Sequence, residues 1–409
     1  MTAKIALLIV AAAVLAVPQA AAKEPLTPRT VFGVTWQNRQ TSFAELDALT
    51  LAPVSKSVPL GTAAFYLGRS PGGGMRAAFG VGRAGDTIRF VDLSTMTPER
   101  RVQLPCSISR PILWETANRL VVTCGGSASS ILVVDPVKQR LVSRKALRGE
   151  LGDVQAASGW LVGVLAPLGD IGPARFVDVD WSGYTRIAKL PGVEAGTEVL
   201  DQNTYHARIE RPAVAIEPTG RRAAVVPANG PLTIVDVASL AVTKQPLRPP
   251  AVARKNIEGN ERTAIWTAAN TIAVGGWNWT ADGQPDHSVA AGLTLIDATT
   301  WTSRTIDRAA AAVSYTGFGG LLLTWGSVWD SASQKSVGSG LTGYGSDGTL
   351  RFHLFGTDPV GLATVAGTYA YVANDFTHFQ IVDTTSGKVI ATPTTPQPTT
   401  LAPARVLPY

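Results

Sequence analysis

Residues that carry metal and redox chemistry are scarce in this chain: four His and two Cys among 409 residues. The histidines, His206, His287, His353 and His378, form no HExxH pair and no other pair at metal-ligand spacing on a helix. Asp282, Asp286 and His287 stand close together, but the fixed ligand spacing of a calcium loop is missing. No metal site is expected. No GxSxG occurs, which removes a serine hydrolase of the α/β type. The glycine-rich pieces Pro71–Gly74 and Gly125-Gly126 precede no helix that would present its N-terminus to a phosphate. No cofactor is expected either.

Charge is sparse as well, at 16% of residues. The formal net charge of +6 is scattered, with no Lys/Arg run, so a nucleic-acid partner is not expected. No stretch keeps a helical apolar period for more than about three turns. The longest apolar run, Ile5–Val17, has 13 residues, short of the roughly 20 that a membrane helix needs. Lys4 precedes that run and Pro18-Gln19-Ala20-Ala21-Ala22 follows it, so Met1–Ala22 reads as a secretory signal. The remainder, Lys23–Tyr409, is expected as one extracytoplasmic (secreted or periplasmic) domain without a membrane span. In that setting Cys106 and Cys124 read as one disulfide.

Glycine (40) and proline (27) are plentiful, and 45% of residues are hydrophobic, which suits many short strands joined by turns. The unit is clearest in Tyr369–Thr392, YAYVANDFTHFQIVDTTSGKVIAT. Apolar runs at Tyr369–Ala373, Phe379–Asp383 and Val389–Thr392 alternate there with polar turns. The same grammar recurs at Leu46-Asp47, Val91-Asp92, Val134-Asp135, Val177-Asp178, Val235-Asp236, Ile296-Asp297, Tyr344-Gly345 and Val382-Asp383. Each Asp is expected to cap the turn that follows its strand. Most of these anchors stand roughly forty to sixty residues apart, the period of a β-propeller blade. The expectation is an all-β, single β-propeller of four-stranded blades, eight in number, with seven as the competitor. The first module, Thr30–Thr35, Phe43–Asp47 and Ser55–Leu60, lacks an inner strand. The tail Thr399–Tyr409 is expected to supply it and to close the ring by pairing the N- and C-terminal strands.

Tyr371-Val372-Ala373-Asn374, Ile381-Val382-Asp383 and Gly387-Lys388-Val389 resemble the YVTN-type propeller repeat, closely over this last module and partially at Arg222–Ala241. The resemblance implies a propeller of the kind found in extracytoplasmic bacterial proteins, and no single activity. Pyrroloquinoline-quinone dehydrogenases repeat a Gly-Lys-x-x-Trp motif, and Gly387-Lys388 lacks the Trp.

The site is expected where the connections are long. Pro191–Pro212 holds Tyr205, His206, Arg208, Glu210 and Arg211, and Arg248–Arg262 holds Arg254, Lys255, Glu258 and Glu261. Gly276–Ala291 holds Trp277, Trp279, Asp282, Asp286 and His287, and Gly326–Leu341 starts beside Trp325 and holds Trp329 and Asp330. In a four-stranded blade these connections emerge on one face, over blades five to seven. Long polar and aromatic loops on a rigid scaffold are where binding groups gather. The candidate ligand residues are Tyr205, His206, Arg208, Arg211, Arg254, Lys255, Trp277, Trp279, His287, Trp325 and Trp329. The plain alternative is that the tryptophans only pack the loops together. A small molecule, a glycan or a protein would fit such a face, as a non-catalytic binding or scaffold module. The other functional reading is a lactonase- or lyase-type propeller enzyme at the axial mouth. Asn278-Trp279-Thr280 is also a glycosylation sequon.

Overall fold

The computed structural model describes residues 27–37, 40–70, 75–82, 85–116, 118–125, 129–201, 206–228, 230–246, 257–280, 288–316, 320–330, 335–373, 378–394 and 400–403. The segment Met1–Ala22 lies outside them, so the structure carries nothing on the expected signal.

β1 (Thr30–Gln37), β2 (Gln40–Asp47) and β3 (Val58–Gly61) open the chain. Two four-stranded meanders follow: β4–β7 (Ala64–Arg69, Arg76–Val81, Thr87–Asp92, Thr97–Gln103) and β8–β11 (Ser107–Thr116, Arg119–Gly125, Ser130–Asp135, Arg140–Ala146). Next come β12–β15 (Glu150–Ala157, Trp160–Ala166, Ile171–Asp180, Thr185–Asp201) and β16 (His206–Arg211). The meander β17–β20 (Ala213–Ile216, Arg222–Val226, Thr233–Asp236, Val242–Lys244) comes next. Then come β21 (Ile257–Trp266), β22 (Thr271–Thr280), β23 (Ser288–Ala290), β24 (Leu293–Asp297) and β25 (Ser303–Asp307). The last meanders are β26–β29 (Ala312–Thr316, Leu321–Asp330, Lys335–Gly345, Leu350–Leu354) and β30–β33 (Gly361–Ala366, Tyr369–Ala373, Phe379–Asp383, Lys388–Ala391). β34 (Thr400–Pro403) returns to β1 and runs antiparallel to it, with Val31 opposite Pro403 and Val34 opposite Thr400.

The molecule is an all-β propeller, but the expected blade count is corrected. Among the described residues six four-stranded sheets stand separately, in place of eight or seven. The remaining strands form one ten-stranded sheet, in the order β12-β13-β14-β15-β16-β21-β22-β24-β25 with β23 beside β22. Its two arms are joined where β16 lies antiparallel to β15 and parallel to β21. Spacing of the Asp anchors carries no information about such a fusion, which forms between residues expected to be loop.

Each middle strand is covered on both faces by neighbouring sheets. This is why Leu120–Val122, Ile131–Val134 and Leu161–Ala166 read as continuous apolar runs, buried throughout, while outer β11 is mostly exposed. One core cluster packs β1–β3 on β4–β6 through Phe43, whose ring lies 5.0 Å from Phe32 and 4.8 Å from Phe79. A fully buried Phe contributes roughly 1.5–3 kcal/mol by leaving water. Val31, Leu46, Tyr371 and Phe379 pack the first sheet on the last, and the Tyr371 hydroxyl donates to the Ala48 carbonyl at 2.9 Å.

The expected turn caps form. Asp92 Oδ1 accepts from Ser94 N and Thr95 N, Asp297 Oδ1 from Thr299 N and Thr300 N, and Asp383 Oδ1 from Thr385 N. The Val177-Asp178 anchor is corrected. Asp180 caps that turn through Ser182 N and Tyr184 N, while Asp178 is fully buried and paired with Arg186 at 2.5 Å. Cys106 and Cys124 are disulfide-bonded, with Cα atoms 5.6 Å apart.

Candidate binding cleft and its polar platform

In their described residues, the segments expected as long loops are largely strand. β15 continues past Leu190 to Asp201, β16 pairs back on it, β21 and β22 extend to Ile257 and Thr280, and β27–β28 extend to Asp330 and Lys335. The result is a platform of backbone ladders. Its construction depends on two glycines. Gly259 lies so close to β16 that a Cβ there would sit 2.7 Å from the Ile209 carbonyl oxygen. Gly196 has φ +138°, a left-handed value that favours glycine, and there β15 pairs with Ile171 on one side and Glu210 on the other.

A polar row crosses the platform. Glu210, Asn260 and Asn278 are register neighbours on β16, β21 and β22. Asn260 Nδ2 donates to Glu210 Oε1 at 3.2 Å. Arg262, one step along the same face of β21, donates from Nη2 to Asn278 Oδ1 at 2.9 Å and from Nη1 to the Trp277 carbonyl at 3.0 Å. Asn260, Arg262 and Asn278 are all buried. Burial holds the Arg262 guanidinium down to about 10, against the opposing pull of the Glu210 charge. Burial also raises the Glu210 carboxyl, and the donated hydrogen bond from Asn260 and the positive charges of Arg208 and Arg262 only partly offset it. Asn278 Nδ2 finds no partner among the described residues.

Glu210 is also one wall of a shallow open cleft, which encloses about 20 Å³, room for about one water, before it opens to solvent. Glu150 and Gly152 of β12, Val164 and Ala166 of β13, Ala195 and Thr197 of β15, and Arg211 with Pro212 complete it. The Arg211 guanidinium reaches Glu261 Oε2 at 3.3 Å, a pair largely open to solvent and so of small energetic worth.

Deeper among the innermost strands, a β-bulge between Leu151 and Val154 re-aims Asp153. Its carboxylate accepts from Val214 N at 2.8 Å and Val154 N at 3.0 Å, yet burial pushes it up to about 6. Gln155, two residues on, accepts from Ile216 N at 3.4 Å and donates to the Ala264 carbonyl at 2.5 Å, so it ties β12, β17 and β21 together.

Of the residues expected to bind, Arg208 and Arg211 lie on β16, Arg208 exposed and Arg211 at the cleft. Trp277 is half-buried on β22 opposite Glu261, and Trp325 packs beside the core of the β26–β29 and β30–β33 sheets. His206, Trp279 and Trp329 lie in the strands of the platform, but their side chains fall outside what is described; Tyr205, Arg254, Lys255 and His287 fall outside the described residues altogether. The sequon asparagine, Asn278, is fully buried and accepts from Arg262, so the folded chain does not present it for glycosylation. Sequence reasoning missed Glu150, Asn260, Arg262 and Asn278 as site residues. Their signal was polar residues within strand-like segments: Asn260-x-Arg262 spaces two on one face of a strand.

No family model and no curated protein matches the chain. Solved structures do. The chain is similar to a dihydro-heme d1 dehydrogenase, NirN, in complex with DHE, at TM-score 0.57 and 12% identity over 92% of this chain and 76% of that one. It is also similar to apo AztD from Citrobacter koseri, at TM-score 0.53 and 13% identity over 91% of this chain and 96% of that one. The likeness is one of fold. It supports the propeller and leaves the YVTN repeat without a matching model.

Proposed function

We propose that this chain is an exported, non-catalytic binding module whose recognition face is the platform formed by β15, β16, β21–β23, β27 and β28. The observation that carries this reading is the cleft walled by Glu150, Thr197, Glu210 and Arg211 and backed by a buried hydrogen-bond network. A carboxylate held by Asn260 in a strand ladder is preorganised for a ligand, which lowers the ordering cost of binding. Export is supported by the Cys106–Cys124 disulfide, a bond that persists in oxidising compartments. A small molecule, a glycan or a side chain of a protein partner would enter the cleft.

Thermal shift of Lys23–Tyr409 against glycans, organic acids, amines and peptides tests the reading. A ligand at 100 times its Kd adds about 2.7 kcal/mol of stability. Thr197→Arg, which fills the cleft, should abolish the shift while leaving the unliganded Tm close to wild type. A shift that survives Thr197→Arg contradicts the reading.

Asp153 favours a second reading, a lactonase- or lyase-type enzyme working at the axis, because an acid near 6 among the inner strands is suited to proton transfer. That reading requires lactone or uronate turnover that falls at least a hundredfold in Asp153→Asn, and unchanged turnover removes it.

A further inference from the structure

The chemistry of the cleft walls narrows the ligand class, an argument that rests on the binding reading above. Two of the four polar wall residues are acidic, Glu150 and Glu210, and the single basic one, Arg211, already reaches Glu261. Glu210 is more than nine-tenths buried, and its one hydrogen-bond donor among the described residues, Asn260, serves Oε1. Oε2 receives no hydrogen bond among the described residues. Oε2 is not among the buried side-chain atoms left without a partner, so it lies on the open side of the cleft, where a donor on a ligand can reach it. The remaining walls, Val164, Ala166, Ala195 and Pro212, are aliphatic and carry no ring for stacking.

We infer that the cleft takes a primary ammonium group on an aliphatic stem, with the nitrogen between Glu150 and Glu210 and the methylenes against Val164, Ala166, Ala195 and Pro212. A lysine side chain of a partner and a free alkylamine share this chemistry. An ammonium offers three donors on a compact centre, where a guanidinium is larger and planar. An anionic ligand would meet two carboxylates. A sugar would find no aromatic platform on these walls. The upward displacement of Glu210 by burial, in spite of Arg208 and Arg262, points the same way, since a bound cation would relieve it.

The experiment is amide NMR of the protein titrated with n-butylammonium, n-butanol and butyrate, followed at Gly152, Gly196 and Thr197. Butylammonium should move these resonances and the other two should not. Glu210→Gln, which keeps an acceptor for Asn260, should weaken butylammonium at least tenfold, and Glu150→Gln serves as the second test should the first variant fold poorly. Nα-acetyl-lysine amide against butylammonium separates the two sources, the tighter binder naming the source. Unchanged affinity in both variants overturns the inference. Butyrate binding in place of butylammonium overturns the ligand class and leaves the cleft as a binding site. No response to any of the probes, the lysine derivative included, overturns both the class and the binding reading.

Discussion

Glu210 and Asn260 are opposite each other on parallel strands, β16 and β21, and the Asn260 amide donates to the Glu210 carboxylate at 3.2 Å. The strand neighbours within each four-stranded sheet are antiparallel, so this pair marks the place where two arms of the ten-stranded sheet are sewn together above β17–β20. The same contact fixes the carboxylate that walls the cleft. Fold and candidate site meet in one hydrogen bond.

Gly259→Ala tests that junction. Its Cβ would lie 2.7 Å from Ile209 O and 3.0 Å from Ile209 N, both backbone atoms that have little room to yield. Overpacking of this kind costs roughly 1–3 kcal/mol. Hydrogen exchange should show faster opening at Ile209–Arg211 while β4–β11 keep their protection. Unchanged exchange at β16 would mean that the parallel pairing is not formed in solution.

Tyr371→Phe tests the closure of the ring. It removes the hydroxyl that donates to Ala48 and leaves a buried carbonyl without that partner, for about 1–2 kcal/mol in chemical denaturation. A neutral result would place closure on the β1–β34 ladder and apolar packing alone.

Reduction of Cys106–Cys124 tests the disulfide. The bond spans 18 residues, and loop-closure entropy for that length gives about 3 kcal/mol. Denaturant midpoints of the Cys106→Ser/Cys124→Ser double variant and the wild type measure it. Equal midpoints would contradict it.

Stability should be greatest on the acid side of neutrality. Asp47, Asp92 and Asp236 are held below 3.8 by turn hydrogen bonds, so their contribution is complete above 3.8 and is lost as pH falls through their lower folded values. Burial raises Asp153 to about 6, so its charged form penalises the fold above that pH and the penalty fades as pH falls from 6 towards 3.8. Asp178 and Glu210 are raised by burial in the same sense. Asp153→Asn should therefore flatten the gain between pH 7 and 4 in urea midpoints, and a profile matching wild type would contradict the burial of that carboxyl.

Much of the scaffold was legible in the chain. Tyr369–Ala373 and Phe379–Asp383 are strands with the expected limits, because each is a short apolar run between turn residues. The pairing of Thr400–Pro403 with β1 was legible for a simpler reason, since the first module had three strands and lacked an inner one. What was hidden follows from long-range pairing. Asp178 looks like a turn cap in sequence, and only the fold brings Arg186 to it. Glu210, Asn260 and Asn278 are far apart in sequence and become neighbours through strand register alone, while the tryptophans that drew attention include Trp325, which packs beside the core.

The most direct test of the central claim is hydrogen–deuterium exchange of Lys23–Tyr409 with and without a ligand found by thermal shift. Protection is predicted at Glu150–Gly152, Ala195–Thr197 and Glu210–Pro212, the walls of the cleft. Protection confined to the inner strands around Asp153, with those three segments unchanged, would contradict the account and move the site to the axis.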